Sequence, residues 1–384
     1  MRAPSAGSYS NVCQLRELAR HREHAALCAD RAPAAAIAPA VQARVRAVAA
    51  RHTRLADLAV SFPSLLFALA LPRPDIDPGP AIARVIDGRP LREVAAAARL
   101  PLWLRRLPVD GLTRPLPTLP ADELFGRRIV NHFPRSTKLT DIWVETVSGA
   151  DYWINEPFAV WIGREFACDP KSVKMDAMLI VGLWAWFSQH PETEGNRLIE
   201  TPWRIEMRYG VDAAYAWLQR LRLELNFGGQ PIVNPWVCPG PFEGYDFVPL
   251  DSAERIDQEA TAMANCIRTY GRRIARNVCR LWSIRKDGQR IANLAIARHG
   301  SVPLLHIDEL SGPHNEAVPI EIWWLATRWL HLHDLVSIRP APRDPPPPDT
   351  AVWRKVWRPY WLAKRRIPDW LPLTPTWRVV GALG

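Results

Sequence analysis

The chain has 384 residues, of which 48% are apolar and 23% charged, a balance typical of a folded protein and not of a disordered one. Its six cysteines are scattered without a CxxC pair, which disfavours a zinc ribbon and a disulfide framework and predicts reduced thiols in a cytoplasmic protein. The most apolar run, at 58–71, is interrupted by Pro63 and is too short to span a bilayer.

Charge and composition divide the chain into four predicted regions. The formal net charge is +10, and the basic excess lies at the two ends, on either side of an acidic middle. We predict a basic helical region (1–118), an acidic, Trp-rich and mostly helical region (119–250), a compact α+β unit (251–335) and a basic tail rich in Pro and Trp (336–384). This asymmetry is compatible with contacts to nucleic acid or another polyanion.

The N-terminal region contains a possible DNA-reading motif. The stretch "DGRPLREVAAAARLPLWLRRLPVDGL" at 87–112 predicts two short helices joined near Pro101. One interpretation is a helix-turn-helix. The other is an ordinary helix pair with a buried apolar stripe and with Arg105 and Arg106 in solvent.

Metal and cofactor signals are weak. His21, His24 and Cys28 fall on one face of a predicted helix, but three ligands on one helix with no fourth nearby make an incomplete site. The sequence also lacks a phosphate-binding glycine pattern. We therefore predict neither a metal nor a cofactor.

The middle region predicts two long helices, around 171–190 and 212–225. After them, "NFGGQPIVNPWVCPGPFEGYDFVPL" at 226–250 is rich in turn-forming residues and is interpreted as a loop.

The compact unit predicts the order helix, three-stranded antiparallel meander, helix. Asp251 or Ser252 can cap a helix that runs towards Asn277. Three extended runs follow, and the first two are joined by Asp287 and Gly288, a strong hairpin signal. The runs are "VCRLWSIRK", "RIANLAIAR" and "VPLLHIDEL". A second helix predicts one apolar face made of Ile320, Trp323, Trp324, Thr327 and Leu330.

Helical phase divides the stretch "MANCIRTYGRRIAR" into two faces. At 100° per residue, one side forms a core stripe and the opposite side a basic stripe. The core stripe consists of Met263, Ile267, Tyr270, Ile274 and Val278. The basic stripe consists of Arg268, Arg272 and Arg276, which are either solvated or face a polyanion.

Cys266 falls at the border between these faces and has two interpretations. It is a nucleophile if an imidazole or an arginine cluster activates it, with His306 and His314 as the candidate partners. Otherwise it is a small buried core residue.

These residues carry a family resemblance. The run "MANCIRTYGRRIARNVCRLWSIR", then "ELSGPHN" and a Trp-containing helix, resembles the PcfJ-like proteins of conjugative plasmids, integrative elements and prophages. The matching positions are Cys266, Ile267, Tyr270, Arg285, Gly312 and Asn315. Glu309 stands where the family usually has Gln, which changes the charge and the donor capacity there.

The resemblance covers roughly residues 255–333 and implies a mobile-element setting and a compact α+β unit, without an established reaction. Read physically, Gly312 allows a positive φ, Asn315 caps the following helix, and the Tyr270 hydroxyl ties helix to sheet.

Three functions follow as hypotheses. The first is a cytosolic accessory factor that binds nucleic acid or a transfer or replication complex. Its candidate residues are Arg268, Arg272, Arg276, Arg354, Lys355 and Arg358. In the tail, Trp353, Trp357 and Trp361 either stack on bases or dock on the protein's own core.

The second hypothesis is an enzyme with a polar site. Its candidate residues are Cys266, Tyr270, Arg285, Glu309, His314 and Asn315. The third is an interaction scaffold that recruits another protein through the acidic, Trp-rich middle region.

Overall fold

The computed structural model describes residues 39–171, 173, 175–208, 210–227, 234–298, 304–333 and 350–367. They form two compact units. Unit 1 takes its described residues from Met1–Trp186 and Trp203–Val211, and unit 2 from Phe187–Pro202 and Asp212–Gly384. The domain limit predicted at residue 118 lies inside unit 1, and those at 250 and 335 lie inside unit 2.

The fold class is α+β, with fifteen α-helices and one sheet among the described residues. The helices are α1 (Pro39–Ala49), α2 (Thr53–Ser61), α3 (Pro63–Ala70), α4 (Gly79–Ile86), α5 (Leu91–Ala97), α6 (Glu123–Ile129), α7 (Thr140–Trp153), α8 (Glu156–Cys168), α9 (Met175–Ser188), α10 (Glu194–Arg197), α11 (Val211–Phe227), α12 (Ala253–Met263), α13 (Gly271–Ala275), α14 (Ile320–His331) and α15 (Thr350–Lys364). Within this part of the chain, no helix is long and apolar enough to cross a membrane.

The helix-turn-helix interpretation of 87–112 is wrong. After α5, the second element is a single 3-10 turn, Leu102–Arg106. Its Trp103 is buried and donates its indole N–H to the Pro120 carbonyl at 2.8 Å. A turn of five residues anchored in this way does not provide a recognition helix for a major groove.

The sheet lies in unit 2 and has five antiparallel strands, not the three of the predicted meander. The strands follow chain order: β1 (Gly240–Phe242), β2 (Tyr245–Pro249), β3 (Cys279–Lys286), β4 (Gln289–Arg298) and β5 (Leu305–Ser311). The additional hairpin comes from the predicted loop 226–250. Glu243 and Gly244 have φ values of 48° and 80°, and positive φ at both central residues fits a tight hairpin turn.

Successive side chains of a strand point to opposite faces of the sheet. Both faces are buried, because other elements of unit 2 pack on each of them. One face carries Trp282, Ile284 and Leu294 and packs against α14. The other face carries Leu281 and Ala295 and packs against α12, α13 and the 3-10 turn between these two helices. The second face positions the candidate site.

The helix predicted from 251 towards Asn277 is interrupted. Ser252 caps α12 as expected, by accepting the N–H of Arg255 at 3.1 Å. The helix then ends because Ala264 is left-handed, with a φ of 48°, and the N–H of Asn265 bonds back to the Ala260 carbonyl. A 3-10 turn, Ile267–Tyr270, and α13 complete the segment.

Helix α14 is rotated relative to the predicted apolar face. Its buried residues are Ile322, Leu325, Ala326, Trp329 and Leu330. Ile320 and Trp324 are about 60% exposed, and Trp323 is also exposed. The predicted face therefore mixes residues of both sides, since the many aromatic residues of this helix give two apolar stripes from which to choose.

Candidate functional site

Two loops of unit 2 carry candidate site residues and contact each other. One loop joins α12 to the 3-10 turn and contains Cys266, and the other follows β5 and contains Asn315. Asn315 Oδ1 accepts the backbone N–H of Cys266 at 3.2 Å. Nearby in sequence, the Tyr270 hydroxyl donates a hydrogen bond to Glu309 on β5. Four of the six enzyme candidates are thus joined in two pairs.

The second loop differs from its predicted backbone. Gly312 has a φ of −84°, so it is not the left-handed position. His314 and Asn315 take the left-handed region instead, with φ values of 58° and 59°. Asn315 does not cap α14, because that helix begins at Ile320. The side-chain oxygen of Asn315 instead accepts the backbone N–H of Cys266. Such backbone strain is concentrated at functional sites in many proteins.

Cys266 is exposed, which contradicts its interpretation as a small buried core residue. Its Sγ makes no hydrogen bond to an imidazole among the described contacts. His306 is half-buried on β5 with Nε2 3.9 Å from Asp308 Oδ1, and His314 is exposed in its loop. A thiol activated by histidine is therefore not assembled in this conformation.

Tyr270 has the role predicted for it, holding the helical segment on the sheet. Burial, followed by the hydrogen bond to Glu309, raises its pKa well above the usual value, so the hydroxyl stays protonated as a donor. Arg273 lies over the ring, 5.0 Å from its centroid, and forms an ion pair with Asp308 at 2.7 Å. Glu309 therefore serves as an acceptor, as a Gln carbonyl can also do.

Arg285, the fifth enzyme candidate, belongs to a buried network centred on Glu259 of α12. Glu259 is 1% exposed. Its Oε1 accepts from Ser283 Oγ at 2.6 Å and from Asn293 Nδ2 at 3.0 Å. Its Oε2 accepts from Arg285 Nη2 at 3.1 Å and from Arg290 Nε at 2.8 Å. These four hydrogen bonds offset the free-energy cost of removing the carboxylate from water.

This network links to the first loop through an amide. Asn265 and Asn293 are both buried, and Asn265 Nδ2 donates to Asn293 Oδ1 at 2.5 Å. The backbone next to Cys266 is thereby held against Asn293 of β4. The site is thus a strip of satisfied polar groups under a strained, exposed loop junction.

The sequence alone did not predict four residues of this network, Glu259, Ser283, Arg290 and Asn293. The available signal was position: Glu259 lies on the same helical face as Ile256, Ala260 and Met263, all of which are buried. A carboxylate on that stripe requires donors on the facing strands.

The basic stripe of Arg268, Arg272 and Arg276 is only partly available to a ligand. Arg268 is held inside the unit, with Nε 2.5 Å from Asp257 Oδ1 and Nη2 bonded to Thr261. Arg272 and Arg276 are exposed. Of the three predicted contacts, two remain on the surface.

In the tail helix α15, two tryptophans dock on the protein's own core and are not free to stack on bases. Trp353 and Trp357 are each 1% exposed and therefore dock within unit 2, so they do not present rings for base stacking. Trp357 lies 5.5 Å from the ring of Phe187. The cations that follow these two rings along the helix, Arg354, Lys355 and Arg358, face solvent.

The described residues contain no group of three or more His, Cys, Asp or Glu side chains arranged to hold a metal ion. His21, His24 and Cys28 lie outside the described part of the chain.

No family model, no curated protein and no solved structure matches this chain, so the resemblance to the PcfJ-like proteins rests on the residues quoted above.

Proposed function

We propose that this chain is a PcfJ-like accessory protein of a bacterial mobile genetic element, which binds nucleic acid phosphates through the exposed basic face of α15. The supporting observation is the division of this helix into two sides. Trp353, Trp357 and Tyr360 are buried, while Arg354 and Arg358 point to solvent. Folding thus fixes the orientation of the cations.

The face has the charge that phosphate binding requires. Residues 350–367 contain six basic side chains and no acidic one. Arg354 and Arg358 make no ion pair with the described residues, and Lys355 has only a long contact of 3.9 Å to Glu194. The two arginines are one helical turn apart, with Cβ atoms about 5–6 Å from each other. They can contact phosphates of one strand.

Arg272 and Arg276 on and after α13 are a second exposed basic pair in the same unit. The mobile-element setting comes from the resemblance alone. Base stacking by Trp353 and Trp357 is excluded from the proposal, so the expected binding has little sequence preference and depends on backbone contacts.

The test is a salt series of equilibrium binding to single-stranded and duplex oligonucleotides. The wild type is compared with the double variant Arg354→Ala/Arg358→Ala. Loss of two phosphate contacts lowers the slope of log K against log salt by about 0.7 per contact on single strands and about 0.9 on duplex. Point variants are preferred to removal of the tail, because α15 contributes buried aromatic residues.

A matched control removes the same charge elsewhere. Arg255 and Arg328 are 54% and 52% exposed but are paired with Asp251 and Glu243. Arg255→Ala/Arg328→Ala should leave the slope unchanged. Equal effects of the two double variants would mean that net charge, and not α15, controls binding, and absence of salt-dependent binding in the wild type would refute the proposal.

The enzyme hypothesis has one specific observation in its favour, the exposed Cys266 at a junction of strained loops. An activated nucleophile should react with iodoacetamide at pH 7 at least about tenfold faster than the exposed Cys168 and Cys238. Comparable rates at all three cysteines would remove this alternative.

A further inference from the structure

Two arginines stand directly opposite each other next to the β3–β4 turn. Arg285 and Arg290 are register partners across the two strands. Like charges in this position destabilise a sheet unless something compensates them. Both side chains turn to Glu259, whose single negative charge balances one of the two. One positive charge remains at the site.

Buried anchors fix the two guanidinium groups. Arg285 bonds through Nη2 to Glu259 and through Nε to Ser283 Oγ at 3.0 Å, while Arg290 uses Nε. Glu259 and Ser283 are 1% and 0% exposed, whereas the two arginine side chains are 28% and 35% exposed. The arginines are therefore held from inside and accessible from outside.

Part of each guanidinium remains unused. Arg285 Nη1 and both Nη atoms of Arg290 donate no hydrogen bond within the described residues. Asp246, the cross-strand partner of Arg285 on β2, makes no ion pair with it either. Glu259 already accepts from four donors and cannot serve these N–H groups as well. A second acceptor with negative charge would complete them.

We propose that Arg285 and Arg290 form a phosphate-binding clamp at the turn end of the β3–β4 hairpin, beside α12, with Glu259 as the positioning residue. Guanidinium forks match phosphate oxygens in pairs, and one tetrahedral phosphate offers acceptors to both arginines. The phosphate belongs either to a free nucleotide or to a nucleic acid backbone. This site is separate from α15, and its test does not depend on the proposed function.

The test uses the full chain and inorganic phosphate at constant ionic strength, with chloride as the balancing anion. Calorimetric titration should give one site, and Arg290→Lys should weaken it at least tenfold, because lysine keeps the charge but lacks the fork. Arg328→Lys, at an exposed arginine that pairs with Glu243, should leave the affinity unchanged. Equal affinity of the wild type and Arg290→Lys would overturn the proposal.

A second measurement does not depend on the variant being folded. Phosphate should shift the Nε–H NMR resonances of Arg285 and Arg290 in the wild type, while that of Arg328 stays in place. No shift at the first two would overturn the proposal even if phosphate bound elsewhere.

Competition then distinguishes the sources of the phosphate. If a nucleoside monophosphate displaces inorganic phosphate and an oligonucleotide does not, the clamp takes a small ligand. If an oligonucleotide displaces inorganic phosphate, the clamp contacts a nucleic acid backbone. Either result supports a phosphate site. The variant Arg354→Ala/Arg358→Ala should still bind inorganic phosphate with wild-type affinity, which separates a failure of the clamp from a failure of α15.

Discussion

Removal of the negative charge of Glu259 should destabilise unit 2 more than any comparable change on the surface of α12. The substitution Glu259→Gln preserves the shape of the side chain but replaces one acceptor oxygen by an amide donor. Whichever way the amide lies, one pair of donors loses its acceptor. If nitrogen faces Arg285 and Arg290, two charged hydrogen bonds are lost; if it faces the other side, Asn293 meets a donor.

The magnitude follows from these bonds. A hydrogen bond to a charged group contributes about 1.5–3 kcal/mol, so two would contribute about 3–6 kcal/mol. The arginine side chains are 28% and 35% exposed, and water recovers part of that loss. We expect about 3 kcal/mol, which for a unit of this size corresponds to about 6–12 °C in melting temperature.

The assay is thermal unfolding with hydrogen exchange of the β3 and β4 amides to identify the affected unit. Glu254→Gln is the control, because Glu254 is exposed on the same helix and, within the described residues, its side chain bonds to Gln258 alone. It should change stability by less than about 0.5 kcal/mol. If the melting temperature of Glu259→Gln lies within about 2–3 °C of that of Glu254→Gln, the buried network does not contribute the stability inferred for it.

Three further outcomes are expected. Ala264→Gly should stabilise unit 2 by about 0.5–1 kcal/mol in denaturant titration, since glycine adopts the φ of 48° without strain; a loss of stability would contradict this. Tyr270→Phe should cost about 1–2 kcal/mol through its lost bond to Glu309, whereas Tyr215→Phe, at an exposed tyrosine of the same unit, should cost less than about 0.5 kcal/mol. Burial raises the pKa of Cys279 to about 12 from 9.0, so its contribution to stability is present below pH 9 and is lost as pH rises towards 12. Native labelling at pH 8 should therefore leave this thiol unmodified, and rapid labelling would contradict its burial.

The sequence predicts the central part of unit 2 well because each signal there is local. Extended apolar runs mark β3, β4 and β5, and Asp287 with Gly288 marks the turn, where their φ values are 49° and 78°. The buried stripe through Ile267, Tyr270 and Ile274 is also confirmed. Met263 at the end of α12 is buried as well, so buried residues of the stripe lie on both sides of the break at Ala264.

The missed elements depend on tertiary context. The strands β1 and β2 are short, and their glycines and prolines favour a loop; pairing of β2 with β3 provides the hydrogen bonds that make them strands. The orientation of α14 was missed for a related reason. Its sequence has apolar residues on two sides, and contact with Phe247 and Trp282 on the sheet selects Trp329 as the buried ring, stacked 4.1 Å from Phe247.

The polar site was missed because an amphipathic pattern assigns every glutamate to solvent. Burial of Glu259 is favourable only together with donors that come from β3 and β4, which lie 24 to 34 residues further along the chain. Each donor is unremarkable alone: Ser283 and Asn293 are small polar residues within apolar strands. Their shared face becomes visible only when the two strands are placed in register, where Ser283 and Asn293 are direct partners. A carboxylate on the buried side of a helix, followed by paired polar positions on a hairpin, is therefore the pattern by which such a network can be predicted.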